Sequence, residues 1–140
     1  MVGSLVIHGP TTANYDEDLG PLPVSDWYYQ GVAARSYLTS RIPGRAITTA
    51  DNGLINGTMV SPDGKSGKYY VTKMKRGKRY RVRLVNISTD SSWQVSLDGH
   101  RMELVSSDLV PIRPIFRDWL FLGIGQREDV IITANQTGGS

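Results

Sequence analysis

Between Lys78 and Asn86 the chain alternates one for one. Tyr80, Val82 and Leu84 are interleaved with Arg79, Arg81 and Arg83. A period of two is the signature of a β-strand, because successive side chains point to opposite faces. No helix could sort these residues onto separate faces. The strand therefore predicts a sheet with Tyr80, Val82 and Leu84 on its core face and a cationic face turned to solvent. Trp93, Val95 and Leu97 alternate with Gln94 and Ser96 in the same way, and Asp98-Gly99 reads as the hairpin turn that follows. The chain is 140 residues long with 15 Gly and 7 Pro. That length fits one domain, and the turn residues fit many short elements.

The remaining segments complete an all-β reading. Leu5-Val6-Ile7 is a short apolar strand, and residues 11–23 form a loop rich in acids, Gly and Pro. Val24 to Tyr29 is strand-like, Gly31 to Leu38 is a short helix, and Gly53 to Gly57 is a small strand. Ser61-Pro62-Asp63-Gly64 has turn chemistry. Met102 to Val105, Trp119 to Ile124 and Asp129 to Thr133 are further strands, with Pro111 and Pro114 bracketing a connection. Short strands separated by turns every 8–12 residues indicate a sandwich or small barrel. There is no internal repeat. No apolar run approaches the roughly 18 residues that span a bilayer, so no membrane partner is expected.

Composition removes several chemistries. The chain has no cysteine and two isolated histidines, His8 and His100. A thiolate nucleophile, a disulfide, an iron–sulfur cluster and a Cys-ligated blue copper are all unavailable. No HxH or HExxH spacing occurs, so no metal site is expected. No GxSxG elbow marks a serine nucleophile, and no catalytic residue is assigned. The acids Asp16, Glu17 and Asp18 lack the spacing of an EF-hand and read as turn formers. Seven of the eleven residues from Lys73 to Arg83 are cationic. That run suggests either a phosphate-tracking surface, with Tyr69, Tyr70 and Tyr80 as stacking partners, or a solvated strand face. The solvated face is the expectation, and nucleic acid is not expected as a partner. Formal net charge is +3. Sequons place candidate glycosylation sites at Asn56, Asn86 and Asn135.

Several stretches together resemble one family. They are Gly9 to Gly20 (GPTTANYDEDLG), Val24 to Tyr29 (VSDWYY) and Asp51 to Thr58 (DNGLINGT). The series continues with Gly77 to Asn86 (GKRYRVRLVN), Gln94 to His100 (QVSLDGH), Ser107 to Pro111 (SDLVP) and Leu120 to Val130 (LFLGIGQREDV). Their order is similar to that of the second domain of ascomycete-type laccases, which are multicopper oxidases built of three cupredoxin domains. The resemblance covers about residues 4–137, within a single domain spanning 1–140, and Gly138-Gly139-Ser140 reads as a linker remnant. It implies a cupredoxin-like Greek-key β-sandwich or barrel with one short helix. It also implies a middle domain that supplies no copper ligand, bridges the first and third copper-binding domains, and forms one wall of a phenol pocket.

By position in the motif, Asp51 resembles the carboxylate that hydrogen-bonds a phenolic substrate. Its alternative reading is a turn acid beside Asn52-Gly53. Ala13, Asn14, Leu109, Val110 and Pro111 resemble other pocket walls. The segment Arg41 to Thr49, the Asp118-Trp119 pair, Arg113 and Arg117 depart from the family's pattern. The resemblance implies a secreted parent, although Met1 to Gly9 does not read as a secretory signal. Alone, the chain is expected to oxidise nothing. The other reading is an engineered stand-alone β-barrel scaffold or binding module, with a surface metal site on His8 or His100.

Overall fold

The computed structural model describes residues 3–31 and 49–136. The helix expected over Gly31 to Leu38, most of the Arg41 to Thr49 departure and the terminal Gly138 to Ser140 lie outside the described residues. Among the described residues, eight strands follow in order: β1 Glu17–Trp27, β2 Asn52–Ile55, β3 Arg79–Asn86, β4 Trp93–Ser96, β5 Met102–Ser107, β6 Val110–Arg117, β7 Trp119–Leu122 and β8 Arg127–Thr133. Six form one sheet in the order β2-β1-β3-β8-β5-β6, and β4 pairs with β7 in a second. The architecture is the expected all-β, cupredoxin-like sandwich. Val82, Leu84, Val130, Ile132, Met102 and Val24 of the large sheet meet Leu120 and Leu122 of the small one to make the core. Tyr80 is on that inner face as expected and is 1% exposed, with its hydroxyl accepting the Lys75 N–H at 2.7 Å.

The arginine face departs from expectation. It is not solvated: Arg81 is 6% exposed and Arg83 8%. Arg81 Nη2 donates to Asp129 Oδ2 at 2.5 Å, Arg83 Nη1 to Asp18 Oδ1 at 2.5 Å, and Arg79 to Glu103. Arg83 stands directly opposite Asp129, and Arg81 opposite Ile131, on the antiparallel β3–β8 ladder. The segment before β1 then covers this face. Thr12 Oγ1 donates to Val105 O at 3.2 Å, and the Tyr15 ring lies over the Arg81 guanidinium at 5.6 Å. Burial works against the charge on Arg81, but Asp129 and Tyr15 outweigh it and raise the guanidinium's pKa. A buried cation is tolerable only when it is paired and hydrogen-bonded in this way.

Other local readings are corrected too. Leu5-Val6-Ile7 is not a strand, and Leu5 and Ile7 are exposed. Most of the supposed loop 11–23 belongs to β1, which pairs in parallel with β3. Its register slips between Asp18 and Pro21, where Gly20 has φ +79°. This bulge, which a glycine accommodates, lets Asp18 accept both the Gly20 N–H and Arg83. Pro111 and Pro114 lie within β6, an edge strand, where a missing N–H costs no ladder bond on the outer side. The Asp98-Gly99 turn forms, with His100 N–H donating to Leu97 O at 3.0 Å, but it carries the chain from one sheet to the other. β4 pairs with β7 and β5 with β6 and β8, so no β4–β5 hairpin exists.

Two buried acids set opposite pH dependences. Burial raises the pKa of Asp26, but N–H donors from Thr89, Asp90 and Ser91 at 2.8–3.1 Å outweigh it and hold the carboxyl below its usual 3.8. Glu128 faces inward opposite Leu84 at the sheet's end. Burial first, then Asp108 and Asp129, push it above 4.5, although the Ser107 hydroxyl donates to it. Its Oε2 has no partner among the described residues.

Asp129→Asn should therefore lower unfolding free energy by about 3 kcal/mol in urea melts, because Arg81 is left buried without its counter-charge. The Arg81→Met/Asp129→Leu double variant should recover most of that loss. Asp26 contributes stability above its unfolded pKa and loses it as pH falls through the lower folded value. Melts recorded from pH 7 to 2 should lose stability in the acid range, and Asp26→Asn should flatten that slope. Glu128 acts in reverse, with stability lost as pH rises through its elevated folded pKa. Glu128→Gln should thus be more stable than wild type at pH 7 and equal to it in acid.

Candidate functional site

The registers gather several chain ends at one rim of the large sheet. Val24 pairs with Asn86, Val85 with Arg127, and Ser107 with both Glu128 and Val110. β1 runs beyond this line to Trp27, which pairs with Asn52. Asp51 sits one residue before β2 on the same rim and is half-buried. Its N–H donates to Trp27 O at 2.9 Å, and its Oδ2 accepts the Tyr29 N–H at 2.8 Å. Asn52 Nδ2 donates to Val60 O at 2.8 Å. The Asp51 carboxylate ties the Trp27–Tyr29 exit to the start of β2, and the Asn52-Gly53 pair beside it is strand rather than turn.

The rim is held from beneath by Asp26. Its N–H donates to Ser88 Oγ at 3.1 Å, and that oxygen also accepts the Trp93 indole N–H at 2.7 Å. The Tyr28 hydroxyl donates to Asp26 Oδ2 at 3.4 Å. Sequence reading missed this hook. Asp26 lies in a motif quoted for resemblance, but the 88–91 loop that it anchors is more than sixty positions away in sequence.

Leu109 closes the β5–β6 hairpin. Asp108 and Leu109 have φ of 44° and 70°, as a two-residue type I′ turn requires. A leucine is costly there, so the surroundings must fix it. They do: Asp108 N–H donates to Arg127 O at 2.7 Å, and Asp108 Oδ1 accepts the Arg127 N–H at 2.9 Å. Leu109, Val110 and Pro111 are consequently held at the tip with their side chains exposed. They share the rim with Asp51. Asp51 precedes β2 and the tip precedes β6, the two edge strands of the six-stranded sheet. Ala13 and Asn14 are elsewhere again, between Thr12 on β5 and Tyr15 on β3, on the outer face. The six candidate wall residues therefore come from three separate parts of the chain: the segment before β1, the start of β2 and the β5–β6 turn.

The sequons separate by burial. Asn56 and Asn135 are exposed. Asn86 is 1% exposed, and its Nδ2 donates to Ser91 O and Leu122 O at 2.9 and 3.0 Å. The folded domain leaves no room for a glycan at Asn86, which corrects that expectation. The basic run is divided by the fold as well. Lys73, Lys75, Arg76 and Lys78 are exposed, while Arg81 and Arg83 are buried in ion pairs, so the stripe of seven cations does not form.

Copper does not fit the donors present. The chain offers no thiolate. His8 is exposed on a segment without strand structure, and His100 Nδ1 is hydrogen-bonded to Asp98 O at 2.9 Å. Among the described residues, no three His, Cys, Asp or Glu side chains converge as a metal site would need.

Known proteins supply the context. The multicopper oxidase family matches residues 18–140. Laccase-3 of Botryotinia fuckeliana is 52% identical over 143 residues, covering all of this chain and 31% of its own length. A laccase of Neurospora crassa is 45% identical, again across the whole chain but only 22% of the relative. The crystal structure of the laccase from Botrytis aclada superposes with a TM-score of 0.84 at 37% identity, over 96% of this chain and 26% of that one. The chain spans less than a third of the length of these relatives. On sequence and fold together, it belongs to the multicopper oxidase family.

Proposed function

We propose that this chain is the copper-free middle domain of a laccase, a single cupredoxin-like domain over residues 1–140 that matches the second domain across about 4–137. It bridges two copper-binding cupredoxin domains and contributes one wall of the phenol pocket. The observation that carries the reading is a mismatch of scale and chemistry. Laccase similarity runs through the entire chain, yet covers less than a third of those enzymes. Within that third the chain holds no cysteine and no paired histidines. Whatever binds the coppers in such a parent must lie outside these 140 residues. The parent is secreted, in keeping with exposed sequons at Asn56 and Asn135.

The geometry suits a wall rather than a complete pocket. Asp51 and the Leu109–Pro111 tip lie at one rim, at the two edge strands of the large sheet, and a substrate there would also meet surfaces of neighbouring domains. Small-molecule sites commonly lie at domain interfaces and combine apolar walls with a few polar groups. Asp51 is the polar group on this wall. In its ionised form it accepts the phenolic hydroxyl's hydrogen bond, and it takes the proton as the phenol is oxidised.

The test is a chimera in which this segment replaces the matching segment of the Botryotinia fuckeliana laccase-3. The chimera should load copper and oxidise phenols, whereas the chain alone with Cu²⁺, phenol and O₂ should show no turnover above free copper. In the chimera, Asp51→Asn should lower kcat/KM for phenols about tenfold, the scale of one charge-assisted hydrogen bond. Copper content and melting temperature are measured in parallel to separate a binding role from the Tyr29 tether. A copper-loaded, folded chimera without phenol oxidation would exclude the proposal.

A further inference from the structure

Two Asn-Gly pairs, Asn52-Gly53 and Asn56-Gly57, lie in one short ribbon of the chain. This dipeptide is open to a reaction within itself, because glycine places no Cβ beside the main-chain nitrogen that attacks the asparagine side chain. The fold treats the two pairs differently. Asn52-Gly53 opens β2 and is registered to Trp27 and Asp26 of β1. Asn52 Nδ2 donates to Val60 O at 2.8 Å, and the Gly53 N–H donates to Asn52 Oδ1 at 2.8 Å. A hydrogen bond to a carbonyl oxygen lies near the plane of that amide, whereas addition to the carbonyl carbon comes from above the plane. Trp93 covers Gly53 so closely that a Cβ there would come within 2.6 Å of the indole ring. This pair is half-buried and its side-chain amide is held at both ends.

Asn56-Gly57 lacks these restraints. Both residues are exposed, and a Cβ on Gly57 would meet nothing within 4 Å. Their φ values are 49° and 73°, and Ile55 and Thr58 exchange N–H···O bonds at 3.0 Å across them. That is a two-residue hairpin turn of type I′. The Asn56 side chain has no hydrogen-bond partner among the described residues, and neither has the C=O or the N–H of the peptide joining it to Gly57. This peptide can therefore rotate while the Ile55–Thr58 bridge stays closed, as it does between the I′ and II′ forms of such a turn. Rotation about ψ of Asn56 is the motion that swings the Gly57 nitrogen towards the side-chain carbonyl carbon.

We propose that the turn is a site of self-modification, at which Asn56 deamidates through a cyclic imide formed with Gly57. The Gly57 nitrogen loses its proton and bonds to Asn56 Cγ. The Cγ–Nδ2 bond breaks, and Nδ2 leaves as ammonia. Water then opens the ring at Cγ to give aspartate, or at the main-chain carbonyl to give isoaspartate. The net change is one water consumed and one ammonia released, with no oxidant or reductant. Nδ2 is also the atom a glycan at the Asn56-Gly57-Thr58 sequon would occupy, so the two modifications exclude one another. Isoaspartate carries the main chain through Cβ and lengthens a turn built for two residues. The Ile55–Thr58 bridge and the bond from Asn56 N–H to Pro23 O at 2.8 Å then cannot both persist. The site does not depend on the middle-domain reading.

The experiment is incubation of the unglycosylated protein in mildly alkaline buffer, followed by peptide mapping that resolves Asn52 from Asn56. Conversion at Asn56 should be at least about tenfold faster than at Asn52, which must first leave the β1–β2 ladder. Isoaspartate should appear together with aspartate, and the rate should rise with pH. In guanidinium chloride the two asparagines should convert at similar rates, because the fold alone separates them. Isoelectric focusing of the whole protein should show an acidic species that Asn56→Gln, confirmed as folded by circular dichroism, does not form. In the isoaspartate species, the Ile55 and Thr58 amides should exchange hydrogen faster than in fresh protein. Equal or faster conversion at Asn52 in the folded protein, aspartate without isoaspartate, a rate independent of pH, or an acidic species retained by Asn56→Gln would each overturn the assignment. Rates that stay apart in denaturant, or unchanged exchange at Ile55 and Thr58, would do the same.

Discussion

The burial of Arg81 and Arg83 is the constraint from which the rest of the fold follows. Two guanidinium groups cannot be taken out of water unless each meets a carboxylate with good geometry. Asp129 comes from β8 and Asp18 from β1, so pairing both arginines fixes β3 between its two neighbours in one register. A slip of one residue would turn the arginines into the apolar core and Tyr80, Val82 and Leu84 outward. Specificity of register therefore comes from the charged face as much as from the greasy one. The bulge at Gly20 belongs to the same solution, because it turns Asp18 towards Arg83.

That constraint also marks what could be seen in the residue string. The alternation in β3 is local, and it identifies a strand and its two chemically distinct faces without help. It does not say whether the second face meets water. The acids that neutralise it lie 48 and 65 positions away, and the covering segment with Thr12 and Tyr15 lies further still from β5 and β3. Gly and Pro density made residues 11–23 look like a loop, but parallel pairing with β3 overrides local propensity there. The prolines of β6 misled for a related reason. Proline is incompatible with a strand only where its N–H is needed, and an edge position removes that need. Asp98-Gly99 shows the same division. Turn chemistry was legible, but the choice of partner strand was not.

The candidate site was readable to a similar degree. The motif around Asp51 was visible, but its tie to Trp27 and Tyr29 was not, because those partners come from the end of β1 and the turn chemistry read at Asn52-Gly53 gives way to strand β2. Asp26 was hidden. Its carboxylate satisfies a run of backbone N–H groups on a loop far away in sequence, and no local pattern announces such a partner. Asn86 carried a sequon that pointed outward in chemistry while the fold turned the side chain inward. Burial of a single polar side chain depends on what surrounds it in three dimensions, and a triplet contains no such information.

The rim and the ion-paired face are mechanically connected. Asp108 bonds the backbone of Arg127, the first residue of β8, and two positions later Asp129 holds Arg81. On the other side, Asp26 anchors the 88–91 loop only two residues beyond Val24, which is registered to Asn86 at the end of β3. A left-handed leucine at the hairpin tip is unfavourable by itself, so it persists because this frame determines it from both flanks. The cost makes sense for a surface that must present Leu109 and Val110 in a fixed place. A wall contributed to another domain's pocket has that requirement, since a displacement of about 1 Å at a binding surface is enough to spoil catalysis. On the proposed reading the domain contributes position, and position is what buried ion pairs across three strands preserve.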